Sequence, residues 1–276
     1  IFCCASEVSK ILPQGKMSLE LYKKIIDEAS MYKISHMYPY FISDPLLDIE
    51  IVTRLEYARE RMPRTIIVLS TNASLLTRDM THQLLKHVDI FLFSVFGTTK
   101  QKYESSMPGL NFEETMGNIS YFLKYRKEKG FKKMALIKQI IPHDFILKKD
   151  SMKELRQICN FWRERGIDWS GQIFTDRAGN VRNFSYCYHD KNNLRGCWVN
   201  DFPLSGINIM YNGDVVLCSL DCKKEIILGN IARKSIVEIW NSRLYNDVRD
   251  KIYLNKNNNK NDFLCNSCPD PYFDIS

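Results

Sequence analysis

The 276-residue sequence contains no run approaching the ~20 apolar residues of a membrane helix. No basic-then-apolar signal segment opens it. These absences point to a cytoplasmic protein that does not enter a membrane. No internal repeat is visible, which sets aside solenoids and propellers. No basic cluster stands out either: the net charge of +7 is spread over every segment. A diffuse positive charge favours solubility and an acidic partner, and gives little ground for nucleic acid. The length suits one large domain, or one domain with a small appendage. The 45% hydrophobic and 26% charged content is that of an ordinary globular chain.

Cysteine is what the sequence has in excess. It has nine, and in a reducing compartment disulfides are disfavoured, so metal or cluster ligation is the leading explanation. Cys3 and Cys4 sit at the start, Cys159 and Cys187 are scattered, and Cys197, Cys218, Cys222, Cys265 and Cys268 fall in the last third.

The first two-thirds alternate strand-like apolar runs with amphipathic helical runs. Strands are expected at residues 36–42, 66–72, 89–97 and 134–142, and helices at 18–32, 46–61, 77–86, 112–129 and 151–165. Asn111 with Glu114 and Ser151 with Glu154 have capping-box spacing, and Gly130 and Gly166 close the corresponding helices. In the last of these, Leu155, Ile158, Cys159 and Trp162 share one apolar stripe, which makes Cys159 a core residue. Alternation of this kind predicts an α/β domain with a covered parallel sheet, whose active site lies at the carboxyl ends of the strands. From Gly206 the pattern changes. Two apolar runs flank Asn212-Gly213, a hairpin signal of type I′, and a short helix is expected near 235–243. Residues 254–262 are rich in Asn and Lys and read as a loop.

Cys197, Cys218 and the Cys265-x-x-Cys268 pair can be brought together by folding the chain back. Four thiolates hold either a tetrahedral zinc or a [4Fe–4S] cluster, and spacing alone does not choose. The wider pattern is Cys197-x20-Cys218 with Gly213 between, then Gly229-Asn230-Ile231, Ile239-Trp240-Asn241-Ser242 and Cys-x-x-Cys. It resembles the auxiliary-cluster domain of radical S-adenosylmethionine (SAM) enzymes, called SPASM, or twitch in its short form. The resemblance implies that Cys197, Cys218, Cys265 and Cys268 ligate one auxiliary [4Fe–4S] cluster. The further downstream cysteines of the full SPASM pattern are absent, which suits a twitch or truncated form; Cys187 and Cys222 stay unassigned.

The N-terminal part resembles the same family. Phe2-Cys3 matches the end of its Cys-x3-Cys-x-aromatic-Cys motif, so that the first strand and two cysteines would lie before Ile1. Ser43-Asp44-Pro45 falls where the family has Gly-Glu-Pro, a motif that contacts the SAM amino group. Thr71-Asn72-Ala73 resembles Thr-Asn-Gly, Ser94-Val95-Phe96-Gly97 resembles the strand segment beside the SAM ribose and carboxylate, and Lys138-Gln139 ends a strand whose polar side chains reach the cofactor. Alone, each is an ordinary turn or cap; their order at successive strand ends carries the resemblance. It implies a partial (β/α)6 barrel over residues 1–180 and an auxiliary-cluster domain over 181–276. Phe2, Asp44, Thr71, Asn72, Ser94 and Gln139 would be cofactor-binding, and Cys3 would ligate the catalytic cluster. The implied activity is reductive cleavage of SAM to a 5′-deoxyadenosyl radical, with a flavodoxin or ferredoxin as reductant. The radical would take hydrogen from a peptide, in peptide maturation, or from a small molecule, in sugar or aminocyclitol oxidation. The competing reading is a non-catalytic zinc- or iron–sulfur-binding relative.

Overall fold

The computed structural model describes residues 5–142, 145, 148–173, 178, 196–197, 201–254 and 263–268. The chain forms two compact units, one spanning Ser30–Phe174 and the other Cys3–Ala29 with Thr175–Ser276.

The first unit is a five-stranded, wholly parallel sheet in sequential order: β1 (His36–Met37), β2 (Ile66–Thr71), β3 (Ile90–Ser94), β4 (Met134–Ile141) and β5 (Asp168–Ile173). Each crossover carries helix: α3 (Ile51–Arg61), α4 (Arg78–His87), α5 (Lys100–Ser106) with α6 (Phe112–Glu128), and α7 (Ser151–Arg163). This is the βα alternation expected from the sequence. One sheet face is sealed by helices: Phe122 of α6 packs 4.7 Å from Phe91 and 5.1 Å from Phe93, all three fully buried. Gly130 takes φ +69° and ends α6, with Phe131 N–H donating to Arg126 O, as in a Schellman closure. Asn111 caps the start of α6 by accepting from Glu114 N–H. At α7 the expected box is absent: Asp150 is the N-cap residue, its side chain caps nothing, and Ser151 is already helical and buried. Cys159 is half-buried rather than core, within 3.5 Å of the Arg163 guanidinium, while Ile158 and Trp162 carry the stripe.

The second unit holds α1 (Ala5–Ile11), α2 (Leu19–Ser30), α8 (Phe202–Ser205) and an antiparallel sheet of β6 (Asn208–Ile209), β7 (Asp214–Val216) and β8 (Ile227–Asn230). It continues with α9 (Ile236–Trp240), α10 (Arg243–Tyr253) and a 3₁₀ turn at Leu264–Ser267. The hairpin forms, but not as a two-residue type I′ turn. Only Gly213 takes positive φ (+87°), and Met210 exchanges bonds with Gly213 and Asp214, which closes a three-residue loop. Gly229 permits α9 to sit on β8, since a Cβ there would meet Ile239 at 2.8 Å. Alternation placed α2 with the parallel sheet; it packs in this unit instead. Leu21 and Ile25 join the core of Val215, Ile231 and Ile239, Lys24 donates to Ile231 O (2.6 Å), and Glu28 accepts from Ile236 N–H (2.7 Å).

Candidate functional site

At the carboxyl end of the parallel sheet, Asp44, Thr71 and Asn72 form one network. Asp44 caps the 3₁₀ turn Pro45–Leu47, its Oδ1 accepting from Leu46 N–H (2.9 Å). The same carboxylate accepts from the buried Thr71 hydroxyl (2.9 Å) and from Asn72 N–H (2.8 Å). Thr71 Oγ1 in turn accepts from Ala73 N–H (3.0 Å), and Asn72 Oδ1 from Ser74 N–H (2.8 Å). Ala73 is held at φ +61° with its carbonyl accepting from Asn118 Nδ2. Asp44 therefore faces the end of β2, and its carboxylate is occupied with fixing the turn beyond that strand.

Strand alternation sorts the remaining residues. Thr71, Phe93 and Ile137 are buried on the helix-covered face, and Gln139 continues that parity. Its Oε1 accepts from the Trp169 indole N–H (3.1 Å). The opposite, more open face carries Ser94, Lys138 and Ser170 as direct neighbours in register. Lys138 Nζ reaches Ser170 Oγ (3.2 Å) and pairs with no carboxylate among the described residues; the Ser94 hydroxyl has no partner among them. The sequence located the pair Lys138-Gln139, but not which of the two shares a face with Ser94. Gly97, just beyond β3, lets α5 approach: a Cβ there would lie 2.6 Å from Tyr103 N. Phe2, Cys3, Cys4 and Cys187 lie outside the described residues.

In the second unit Cys197, Cys218, Cys265 and Cys268 are half-buried. Cys218 lies just beyond β7; Cys265 lies within the last 3₁₀ turn and Cys268 ends it, its N–H donating to Cys265 O (3.2 Å). Burial pushes the Cys218 thiol up to about 11, the N–H groups of Leu220 and Asp221 opposing it and Asp221 and Cys197 adding to it. Burial pushes Cys265 well above the ordinary thiol value, with Cys218, Cys268, Cys197 and Asp221 as further causes. Cys218, Cys268 and Cys197 thus lie near enough to Cys265 to act on its charge. Crowded, desolvated thiols ionise only against a positive centre, which is the donor set an iron–sulfur cluster needs. Among the described residues no three His, Cys, Asp or Glu side chains are gathered tightly enough for a single metal ion. Cys222 is fully buried.

Comparison with known proteins shows the same division. Residues 197–269 match the profile of SPASM, an iron–sulfur cluster-binding domain. The chain is 23% identical over 300 residues to the tungsten-containing aldehyde ferredoxin oxidoreductase cofactor-modifying protein of Pyrococcus furiosus, covering 93% of this chain and 79% of that one. Its fold is similar to BtrN, solved in complex with AdoMet and 2-DOIA (TM-score 0.56, 18% identity, 91% of this chain and 81% of that one). It is also similar to Streptococcus suis SuiB bound to the precursor peptide SuiA (TM-score 0.64, 15% identity, 90% of this chain and 63% of that one). The chain thus combines a βα unit of the radical SAM fold with a SPASM domain, as its motifs implied.

Proposed function

We propose that the chain is that of a radical SAM enzyme with one auxiliary [4Fe–4S] cluster. The reading rests on the convergence of Cys197, Cys218, Cys265 and Cys268 in a chain whose parallel sheet gathers polar residues at its carboxyl end. Those four cysteines hold the auxiliary cluster, and Cys3 supplies one ligand of the catalytic cluster. SAM and that reduced cluster, when bound, supply the 5′-deoxyadenosyl radical that takes a hydrogen atom from substrate. The chain's own part is binding and orientation. The Lys138 ammonium and the Ser94 hydroxyl, open on one face, receive the charged and polar parts of SAM. Asp44 and Thr71 hold the Asn72 turn in place, and Gln139 acts through Trp169. The substrate is a peptide or a polar small molecule, consistent with the similarity to SuiB and BtrN, and a flavodoxin or ferredoxin delivers the electron.

The test is anaerobic reconstitution of the full-length protein, then iron, sulfide and zinc analysis and assay of 5′-deoxyadenosine under reducing conditions. Cys265→Ala is expected to remove about four irons and their sulfide and to loosen the second unit, because cluster assembly contributes folding energy. Stoichiometric zinc without sulfide would establish the structural-module reading instead.

A further inference from the structure

The second unit contains a cation with no counter-charge among the described residues. Arg249 projects from α10 and lies between two rings, its Cζ 3.9 Å from the centroid of Tyr245 and 4.2 Å from that of Trp240. Its Nε donates to Pro203 O (2.8 Å), and its Nη1 to Trp240 O (2.7 Å) and Asn246 Oδ1 (3.0 Å). Nη2 is buried and has no hydrogen-bond partner among the described residues. Its hydrogen-bond partners are neutral oxygens, and no carboxylate among the described residues pairs with it.

The thiol group has the opposite deficit. Four thiolates around a [4Fe–4S] cluster carry net negative charge, and reduction makes it more negative. Both adjoin one core cluster, to which Tyr245 belongs. Tyr245 carries Arg249 on its ring, and its phenol is pushed up to about 12, mainly by burial, with Cys218 adding to the effect and Arg249 opposing it. Cys197, Cys218 and Cys265 pack against the same core cluster that contains Tyr245.

We propose that Arg249 is the counter-charge of the auxiliary cluster, a positioning residue that raises the cluster's reduction potential through the Trp240–Tyr245 sandwich. The proposal rests on the assignment of the four cysteines to that cluster. It differs from a purely structural role, in which the guanidinium serves only to tie Pro203 O to Trp240 O. Net charge around a cluster is one of the factors that set its potential, and loss of a nearby cation disfavours the more negative, reduced state.

The experiment compares Arg249→Lys, Arg249→Gln and Arg249→Met in the full-length reconstituted protein. The auxiliary cluster's midpoint potential is read by redox titration with electron paramagnetic resonance, its signal identified as the one missing from Cys265→Ala. Both neutral variants are expected to shift to lower potential and Arg249→Lys to stay near the unsubstituted value, even where all three lose thermal stability. Loss of the cluster from both neutral variants, with retention in Arg249→Lys, supports the same conclusion. An unchanged potential in either neutral variant, or loss of the cluster from all three, would overturn it and leave the cluster assignment standing. No cluster in the unsubstituted protein would overturn both.

Discussion

Replacing Asp44 tests whether the carboxylate after β1 serves the proposed SAM site directly or only fixes the turn beside it. Asp44 makes one capping bond to Leu46 N–H and two bonds to the end of β2, from the Thr71 hydroxyl and Asn72 N–H. A cap contributes ~1 kcal/mol and a hydrogen bond to a charged group about 1.5 kcal/mol. Because the three share one anchor, Asp44→Ala is expected to cost about 3 kcal/mol, lowering the melting temperature of the βα unit by ~6–12 °C. Asp44→Glu is the informative change, since it restores the family's residue. A glutamate carboxylate stands one methylene farther out and cannot keep the cap and both β2 bonds together. It should therefore lose ~1 kcal/mol and bind SAM no more tightly. Calorimetry for stability and anaerobic titration calorimetry for SAM affinity give the two readouts. A tenfold gain in SAM affinity for Asp44→Glu, with stability unchanged, would refute the positioning role and place the carboxylate on the cofactor.

Gly97→Ala should destabilise the βα unit by about 1–3 kcal/mol in urea unfolding, because the new Cβ would press on the backbone of α5 at 2.6 Å rather than on a movable side chain; a change under 0.5 kcal/mol would show that α5 yields freely. The Asp89 carboxyl is raised by burial but held below its ordinary value by hydrogen bonds from Lys133, Ile67 N–H and Arg59, and by the Arg59 charge. A depressed folded pKa means that Asp89 contributes stability above the unfolded carboxylate's value of about 3.9 and loses it as pH falls through the folded value. Asp89→Asn should therefore lower stability at neutral pH and flatten the acid limb of the stability curve below about pH 4, and an acid limb as steep as the parent's would show that other carboxylates govern it.

The strands were legible because the sheet is covered: apolar runs bounded by turn residues marked 66–72, 89–97 and 134–142, and the strands run at Ile66–Thr71, Ile90–Ser94 and Met134–Ile141. β1 shrinks to His36–Met37, since from Tyr38 onward the backbone leaves the sheet for the Asp44 turn. The αL residue of the hairpin was visible as Gly213, while the loop length was not, because it depends on the pairing of Met210 with Asp214. Asn111 capped as expected, whereas Ser151 lost its cap to burial inside the helix. The destination of α2 was hidden, since an amphipathic stripe records that a helix covers something but not what it covers. The four cysteines were singled out by their spacing and by the Trp240–Ser242 run. Arg249 was not, because an arginine on a helix is ordinary until its partners are known to be two rings and two carbonyls.

The two ends of the parallel sheet differ in how their charges are settled. At the amino end, Asp89 accepts from Ile67 N–H, Lys133 and Arg59, while Arg59 also donates to His87 O and Thr65 O. Every charge in that group has a partner, as suits an end that only holds strands in register. At the carboxyl end the backbone is equally well tied, through Asp44, Thr71 and Asn118, yet the side chains on the open face are not. Among the described residues the Ser94 hydroxyl finds no partner, and the Lys138 ammonium touches only the neutral Ser170. Such a surface leaves donors placed for an anionic, hydrogen-bonding ligand. The turn fixed by Asp44 and the pleat that puts Ser94, Lys138 and Ser170 in one row bound the surface on which the proposed SAM site would lie.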